Sequence, residues 1–140
     1  MTRLADITMA VDLEAVDPAL AQLVAAAAPH LSATKLIGFE LSVIEALTNL
    51  VRHGGTRPEG ALAEVRIESD GREIRVIIRD ATGQPVDAAL YDTPPDPDPD
   101  PLAEGGRGLH IMHSCSDRLL FRREDGANVL TLAYRIGEPD

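Results

Sequence analysis

The stretch LIGFELSVIEALTNLVRHGG, residues 36–55, decides how the rest of the chain is read. Its apolar residues recur at helical spacing, and Leu36, Val43, Leu47 and Leu50 form one stripe that suits a core-facing surface. Glu45, Asn49 and His53 follow one another at intervals of four residues. In a helix, an i,i+4 pair is offset by about 40° and about 6 Å along the axis. Glu45 and Asn49 therefore face one cavity a turn apart, with His53 drifting to its edge. A carboxylate and a carboxamide beside an apolar stripe are costly to bury without partners. Alone they read as a solvated helix face. They gain a functional meaning only when a second segment supplies complementary chemistry.

Working outward, Ser32 is a candidate N-cap for this helix, and Gly54-Gly55 close it. Upstream, residues 4–11 alternate as a short strand. Asp17 as N-cap and Pro18 at the first helical position open a helix that runs through ALAQLVAAAA to Pro29. Downstream, LAEVRIESD (62–70) and EIRVIIRD (73–80) alternate apolar and polar around a tight turn at Gly71-Arg72. This spacing predicts a half-buried antiparallel hairpin. From Thr82 to Glu104 the chain changes character, and the Pro and Asp repeats between Pro94 and Pro101 forbid a packed element and favour an extended loop. Gly105-Gly106-Arg107-Gly108 then feeds an apolar-periodic helix, and strands at 118–124 and 128–136 are joined by Asp125-Gly126. The order β-α-α-β-β-loop-α-β-β predicts an α+β, two-layer sandwich, with a mostly antiparallel sheet and helices on one face.

The totals bound what such a fold can do. A chain of 140 residues with 44% hydrophobic residues fits one domain, 1–140, with a real core. Aromatics make up only 3%, so Leu, Val, Ile and Ala must fill that core. With 13 basic against 23 acidic residues the net charge is −10, which argues against direct nucleic-acid binding and against anionic membrane surfaces. An anionic small ligand stays open, because backbone amides, helix N-termini and Mg²⁺ can hold phosphate. The single cysteine, Cys115, leaves no internal disulfide. No apolar leader or membrane span is visible, so a cytoplasmic location is expected.

Three segments are read together: Glu45-x-x-x-Asn49, Asp80 at a strand end with Gly83 beyond it, and the glycines at 105–108. Each alone is weak, since glycines and strand-end aspartates usually mark turns. The ordered set, separated by a long loop, is more specific. At ELSVIEALTNLVRHGG, GGRGLHIM and GANVLTLAYRI the chain resembles the GHKL ATPase/kinase superfamily, and within it the anti-sigma factor serine kinases of bacterial stress and sporulation switches. The resemblance covers nearly the whole chain. It implies the Bergerat ATP-binding sandwich, with a lid at about 85–104 over the nucleotide.

The resemblance also implies residue roles. Asn49 matches the Mg²⁺ ligand, and Glu45 the general base that takes a proton from a serine hydroxyl. Asp80 matches the acceptor for the adenine amino group, with Gly83 letting the backbone approach the base. Gly106 and Gly108 would wrap the phosphates, aided by the helix N-terminus. Thr131 matches a late-strand threonine that contacts adenine. Arg107 could touch a phosphate oxygen, and His53 could line the site. The first glycine box, Asp80-Ala81-Thr82-Gly83, is one residue longer than the family's Asp-x-Gly, so either the strand end bulges or the turn is rebuilt. No upstream phospho-acceptor histidine helix is present, which argues against a sensor histidine kinase.

The expected cofactors are ATP and Mg²⁺. The expected partners are a sigma factor and an anti-anti-sigma protein of the STAS type, with the chain as a homodimer. The enzyme implied is an ATP-dependent protein serine kinase that also sequesters the sigma factor. The alternative is a non-catalytic nucleotide-sensing module.

Overall fold

In the computed structural model, residues 1–53, 55–86, 91 and 106–137 are described. The elements are β1 (Thr2–Ala10), α1 (Val16–Ala27), α2 (Ala33–His53), β2 (Leu62–Ser69), β3 (Glu73–Asp80), α3 (Gly106–Cys115), β4 (Arg118–Glu124) and β5 (Ala127–Arg135). The five strands form one sheet in the order β1-β2-β3-β5-β4, and every neighbouring pair is antiparallel. The inner face is built by alternation. Val65, Ile67, Ile74, Val76, Ile78, Leu130, Leu132 and Tyr134 all point to one side and are buried. They share a core with Leu20 and Leu23 of α1, Phe39, Val43 and Leu47 of α2, and Met112 of α3. The expected two-layer α+β architecture is the one observed.

Local signals set most of the boundaries. Ser32 caps α2 by accepting the Lys35 N–H at 3.1 Å. The turn between β4 and β5 uses Asp125 (φ 50°) and Gly126 (φ 77°), a left-handed pair that matches the twist of the flanking strands. The start of α1 differs from the expectation. The helix begins at Val16, directly after a 3-10 turn at Leu13–Ala15, and the capping side chain is Asp12, which accepts the Ala15 N–H at 2.9 Å. Asp17 instead lies inside the first turn, where its charge faces the positive end of the helix dipole. Pro18 is tolerated there because first-turn N–H groups need no intrahelical acceptor.

Two polar contacts fix the helices to the sheet. Ser42 and Tyr134 join their hydroxyls at 2.5 Å within the core, and burial raises the Tyr134 phenol well above its ordinary value. Asp117, in the turn between α3 and β4, accepts Lys35 Nζ at 2.5 Å and the Arg135 N–H at 2.7 Å. Burial works to raise the Asp117 carboxyl, but the Lys35 ammonium and the Arg135 N–H outweigh it and hold it below the ordinary aspartate value. A depressed folded-state value means that stability is present above the unfolded value and lost as pH falls through the folded one. We expect Asp117→Ala to cost about 1.5–3 kcal/mol at pH 7. In urea titrations this difference from wild type should shrink as the pH falls below the ordinary aspartate range and the carboxylate is protonated. A difference unchanged at low pH would show that the carboxylate charge contributes nothing.

Most of the expected lid, 85–104, lies outside the described residues. Within it, Tyr91 stacks on Phe121 with centroids 4.5 Å apart and planes at 11°.

Candidate nucleotide site

Glu45 and Asn49 stand one turn apart on α2, both half-buried. Gly108, in the first turn of α3, lies directly against them. A Cβ at Gly108 would sit 2.7 Å from Glu45 Oε2 and 3.6 Å from both Asn49 Oδ1 and Nδ2. The opposite end of α3 meets α2 at a second glycine, where a Cβ on Gly38 would be 3.1 Å from the Cys115 carbonyl oxygen. Helices α2 and α3 thus run antiparallel with a glycine at each end of their contact. The first and third sequence segments are brought together. The N-terminus of α3, opened by Gly106, carries N–H groups that the helix itself does not pair, beside a carboxylate and a carboxamide, a setting suited to an oxyanion held with a cation.

The second segment is Asp80, buried at the inner-face end of β3 with 3% exposure. Its Oδ1 accepts the Thr82 N–H at 3.2 Å, the Gly83 N–H at 3.0 Å and the Thr82 hydroxyl at 3.3 Å. The extra residue of the first glycine box is therefore absorbed by a turn closed on Asp80 itself. Of the two alternatives, the turn is rebuilt. Gly83 is required by crowding, because a Cβ there would run into Asp80 Oδ2.

Two side chains here have no counterpart among the residues singled out from the sequence. Arg57 Nη2 donates to Asp80 Oδ2 at 2.6 Å and to the Leu50 carbonyl at 2.8 Å. It joins the last turn of α2, one residue beyond Asn49, to the end of β3. The pair is buried, with side chains 8% and 4% exposed. Among the described residues Arg57 Nε is buried without an acceptor. Asn128 pairs with Asp80 across β3 and β5, so it shares the inner face. Its Nδ2 donates to the Gln84 carbonyl at 2.9 Å and its Oδ1 accepts Arg123 Nη1 at 2.8 Å, anchoring the chain just past the glycine box. Arg57 sits in a Gly/Pro loop that reads as surface, and nothing local marks it. Alternation counted back from Tyr134 would have found Asn128.

Thr131 is placed differently from its expected role. It pairs with Ile77 and Leu120, on the outer face of the sheet and opposite to Asp80 and Asn128. Strand period two allows only one of Asn128 and Thr131 to face the helices, and it is Asn128. The side chains of His53 and Arg107 lie outside the described residues.

Whether the residues suit a magnesium nucleotide can be tested on this geometry. Among the described residues no three His, Cys, Asp or Glu side chains converge into a metal cage. A divalent cation here would rely on the Asn49 oxygen, waters and phosphate oxygens, as Mg²⁺ commonly does. Gly108 lets the first turn of α3 approach Glu45 and Asn49 closely, and a methyl group there would crowd Glu45 Oε2. The residues fit the group. A separate concavity of about 560 Å³ lies at the far end of the sheet, but Arg75 and Arg118 there already pair with Asp70 and Glu73. Among the described residues no helix is long and apolar enough to cross a membrane.

The histidine kinase-like ATPase domain family matches residues 9–134. The chain belongs to that family, as its resemblance to the GHKL superfamily led us to expect. Among solved structures, it is similar to the crystal structure of the RsbU and RsbW domains of Rv1364c from Mycobacterium tuberculosis, with a TM-score of 0.64 and 16% identity. The match covers 99% of this chain and 34% of that one, so it speaks for the fold. No curated protein gives a sequence match.

Proposed function

We propose that this chain is an ATP-dependent protein serine kinase that doubles as an anti-sigma factor. It would bind Mg-ATP, phosphorylate a serine of a STAS-type anti-anti-sigma partner, and as a homodimer hold a sigma factor away from RNA polymerase. The observation that carries the reading is the meeting of Glu45, Asn49 and Gly108, a base, a neutral oxygen ligand and a phosphate cradle in contact. When bound, Mg²⁺ supplies charge neutralisation across the phosphates. Asn49 offers it an uncharged oxygen that leaves room for phosphate ligands. Glu45, one turn away, is within reach of a proton on an incoming hydroxyl, while the α3 N-terminus favours the anionic group beside it. The likeness to a structure that contains an RsbW domain supports the anti-sigma assignment. A net charge of −10 would attract the basic surface of a sigma factor and speed its association.

The non-catalytic sensing module is favoured by one observation, the hold of Arg57 on Asp80. Glu45→Ala separates the two readings. In the kinase, phosphotransfer to the partner falls by about 10²–10⁴ while ATP affinity stays within about threefold of wild type. Undiminished phosphotransfer by Glu45→Ala would remove Glu45 as the base.

A further inference from the structure

The sheet has a second face, turned away from the helices that hold Glu45, Asn49 and Gly108. On β3, β5 and β4 its side chains stand in three rows. Arg75, Ala133 and Arg118 lie side by side, then Ile77, Thr131 and Leu120, then Arg79, Val129 and Arg122. None of the apolar members belongs to the core between sheet and helices. Ala133 and Val129 are buried all the same, while Leu120 is 48% exposed. The small residues of β5 thus floor a shallow trough, and the longer side chains of β3 and β4 form its walls.

The outward positions of these three strands carry five arginines (75, 79, 118, 122 and 135) against two glutamates, Glu73 and Glu124. They make a positive strip on a chain whose net charge is −10. Glu73 accepts Arg75 Nε at 2.6 Å and Arg118 Nη2 at 2.9 Å, and Glu124 accepts Arg122 Nε at 2.8 Å. Arg118 and Arg122 are still 58% and 57% exposed, and each guanidinium keeps further N–H donors. Among the described residues Arg79 forms no ion pair. The corner arginines frame an area of about 10 by 14 Å, wide enough for one helix or one extended segment.

We propose that this face docks an acidic segment of a partner protein. An apolar side chain of that segment sits over Thr131 between Ile77 and Leu120, and flanking carboxylates reach Arg79, Arg118 and Arg122. A nucleic acid or an anionic membrane would use the arginines but not the apolar row, and the net charge opposes both. A second copy, related by a two-fold axis through the trough, would set arginine against arginine. The occupant lies across the sheet from Glu45 and Asn49, so the proposal does not rest on the nucleotide reading.

Fluorescence anisotropy of a short labelled peptide, one Leu with Asp and Glu on both sides, tests this on the full chain. Wild type should bind it at least about tenfold more tightly than a version with Lys at every acidic position, or one with Ser for Leu. The double variant Arg79→Glu/Arg122→Glu should weaken binding by about tenfold or more, and Leu120→Ser by about three- to tenfold. No binding of the acidic peptide by wild type, equal binding of the Lys version, or unchanged binding by the folded variants overturns the proposal. A DNA single strand of equal charge that binds as tightly as the peptide also overturns it, since the apolar row then does nothing. So does self-association of wild type, seen by sedimentation, that is lost in Leu120→Ser, because a second copy then covers the face. If one variant does not fold, the other and the wild-type peptide comparison decide.

Discussion

Arg57→Met is expected to destabilise the protein by about 3–5 kcal/mol, a larger loss than any other single replacement at the site should cause. The guanidinium is 8% exposed and the Asp80 side chain 4%, so the ion pair has little water around it. Such a pair contributes modest net stability, because desolvating both charges offsets most of their attraction. Removing one partner is another matter. The Asp80 charge would stay buried with the Thr82 and Gly83 donors on its other oxygen, and the Leu50 carbonyl would lose the Arg57 hydrogen bond too. Methionine fills much the same volume, so the loss reports electrostatics more than a cavity. Adding Asp80→Asn should recover most of it, since the amide keeps Oδ1 for the two N–H groups and removes the charge. Urea unfolding of the wild type, both single variants and the double variant measures the coupling. A loss below about 1 kcal/mol for Arg57→Met would show the pair to be as weak as an exposed one.

Gly108→Ala should separate stability from activity, with opposite signs. Gly108 lies in a helix, where alanine is preferred by about 0.5–1 kcal/mol. Among the described residues, the three atoms nearest the new methyl group outside its own helix are all side-chain atoms. Its near neighbours are the tip of Glu45 at 2.7 Å and the Asn49 amide at 3.6 Å. The Glu45 carboxylate can swing aside at little cost to folding. The protein should therefore melt at the same temperature or slightly higher. On the proposed kinase reading, catalysis depends on where that carboxylate stands, and a displacement near 1 Å can cost about 10²-fold in rate. We expect phosphotransfer to fall by about that factor, with weaker Mg-ATP binding as the phosphate space narrows. Thermal unfolding and a phosphotransfer assay on the same preparation test this. Full activity in a stabilised Gly108→Ala would remove Gly108 from the site.

The sheet was the most legible part of the chain. Period-two alternation in VRIES and IRVIIRD gives both partners and faces, because a one-residue slip would expose every core side chain. Helix α2 was equally plain, with its stripe, its Ser32 cap and the i,i+4 pair of Glu45 and Asn49 all in one segment. Gly108 meeting that pair could be expected only through family resemblance, since nothing local says which glycine touches which helix. Three features escaped for physical reasons. The Asp12 cap was hidden because Asp17-Pro18 carries the same signal a few residues later. Arg57 lies in a loop whose composition reads as solvent-facing, and its partner Asp80 is 23 positions away. Asn128 was passed over for Thr131, although alternation puts Asn128 with Leu130, Leu132 and Tyr134 on the buried face.

Both readings of this chain, kinase and sensing module, depend on Asn49 and the Gly108 cradle binding a magnesium nucleotide. Calorimetric titration of ATP into the purified protein, with and without Mg²⁺ and alongside Asn49→Ala, tests that binding most directly. Wild type should bind ATP with micromolar affinity that depends on Mg²⁺ and is lost in Asn49→Ala, whose thermal unfolding stays close to wild type. Binding that is indifferent to Mg²⁺ and to Asn49→Ala, or no heat with ATP or ADP under any condition, would contradict it.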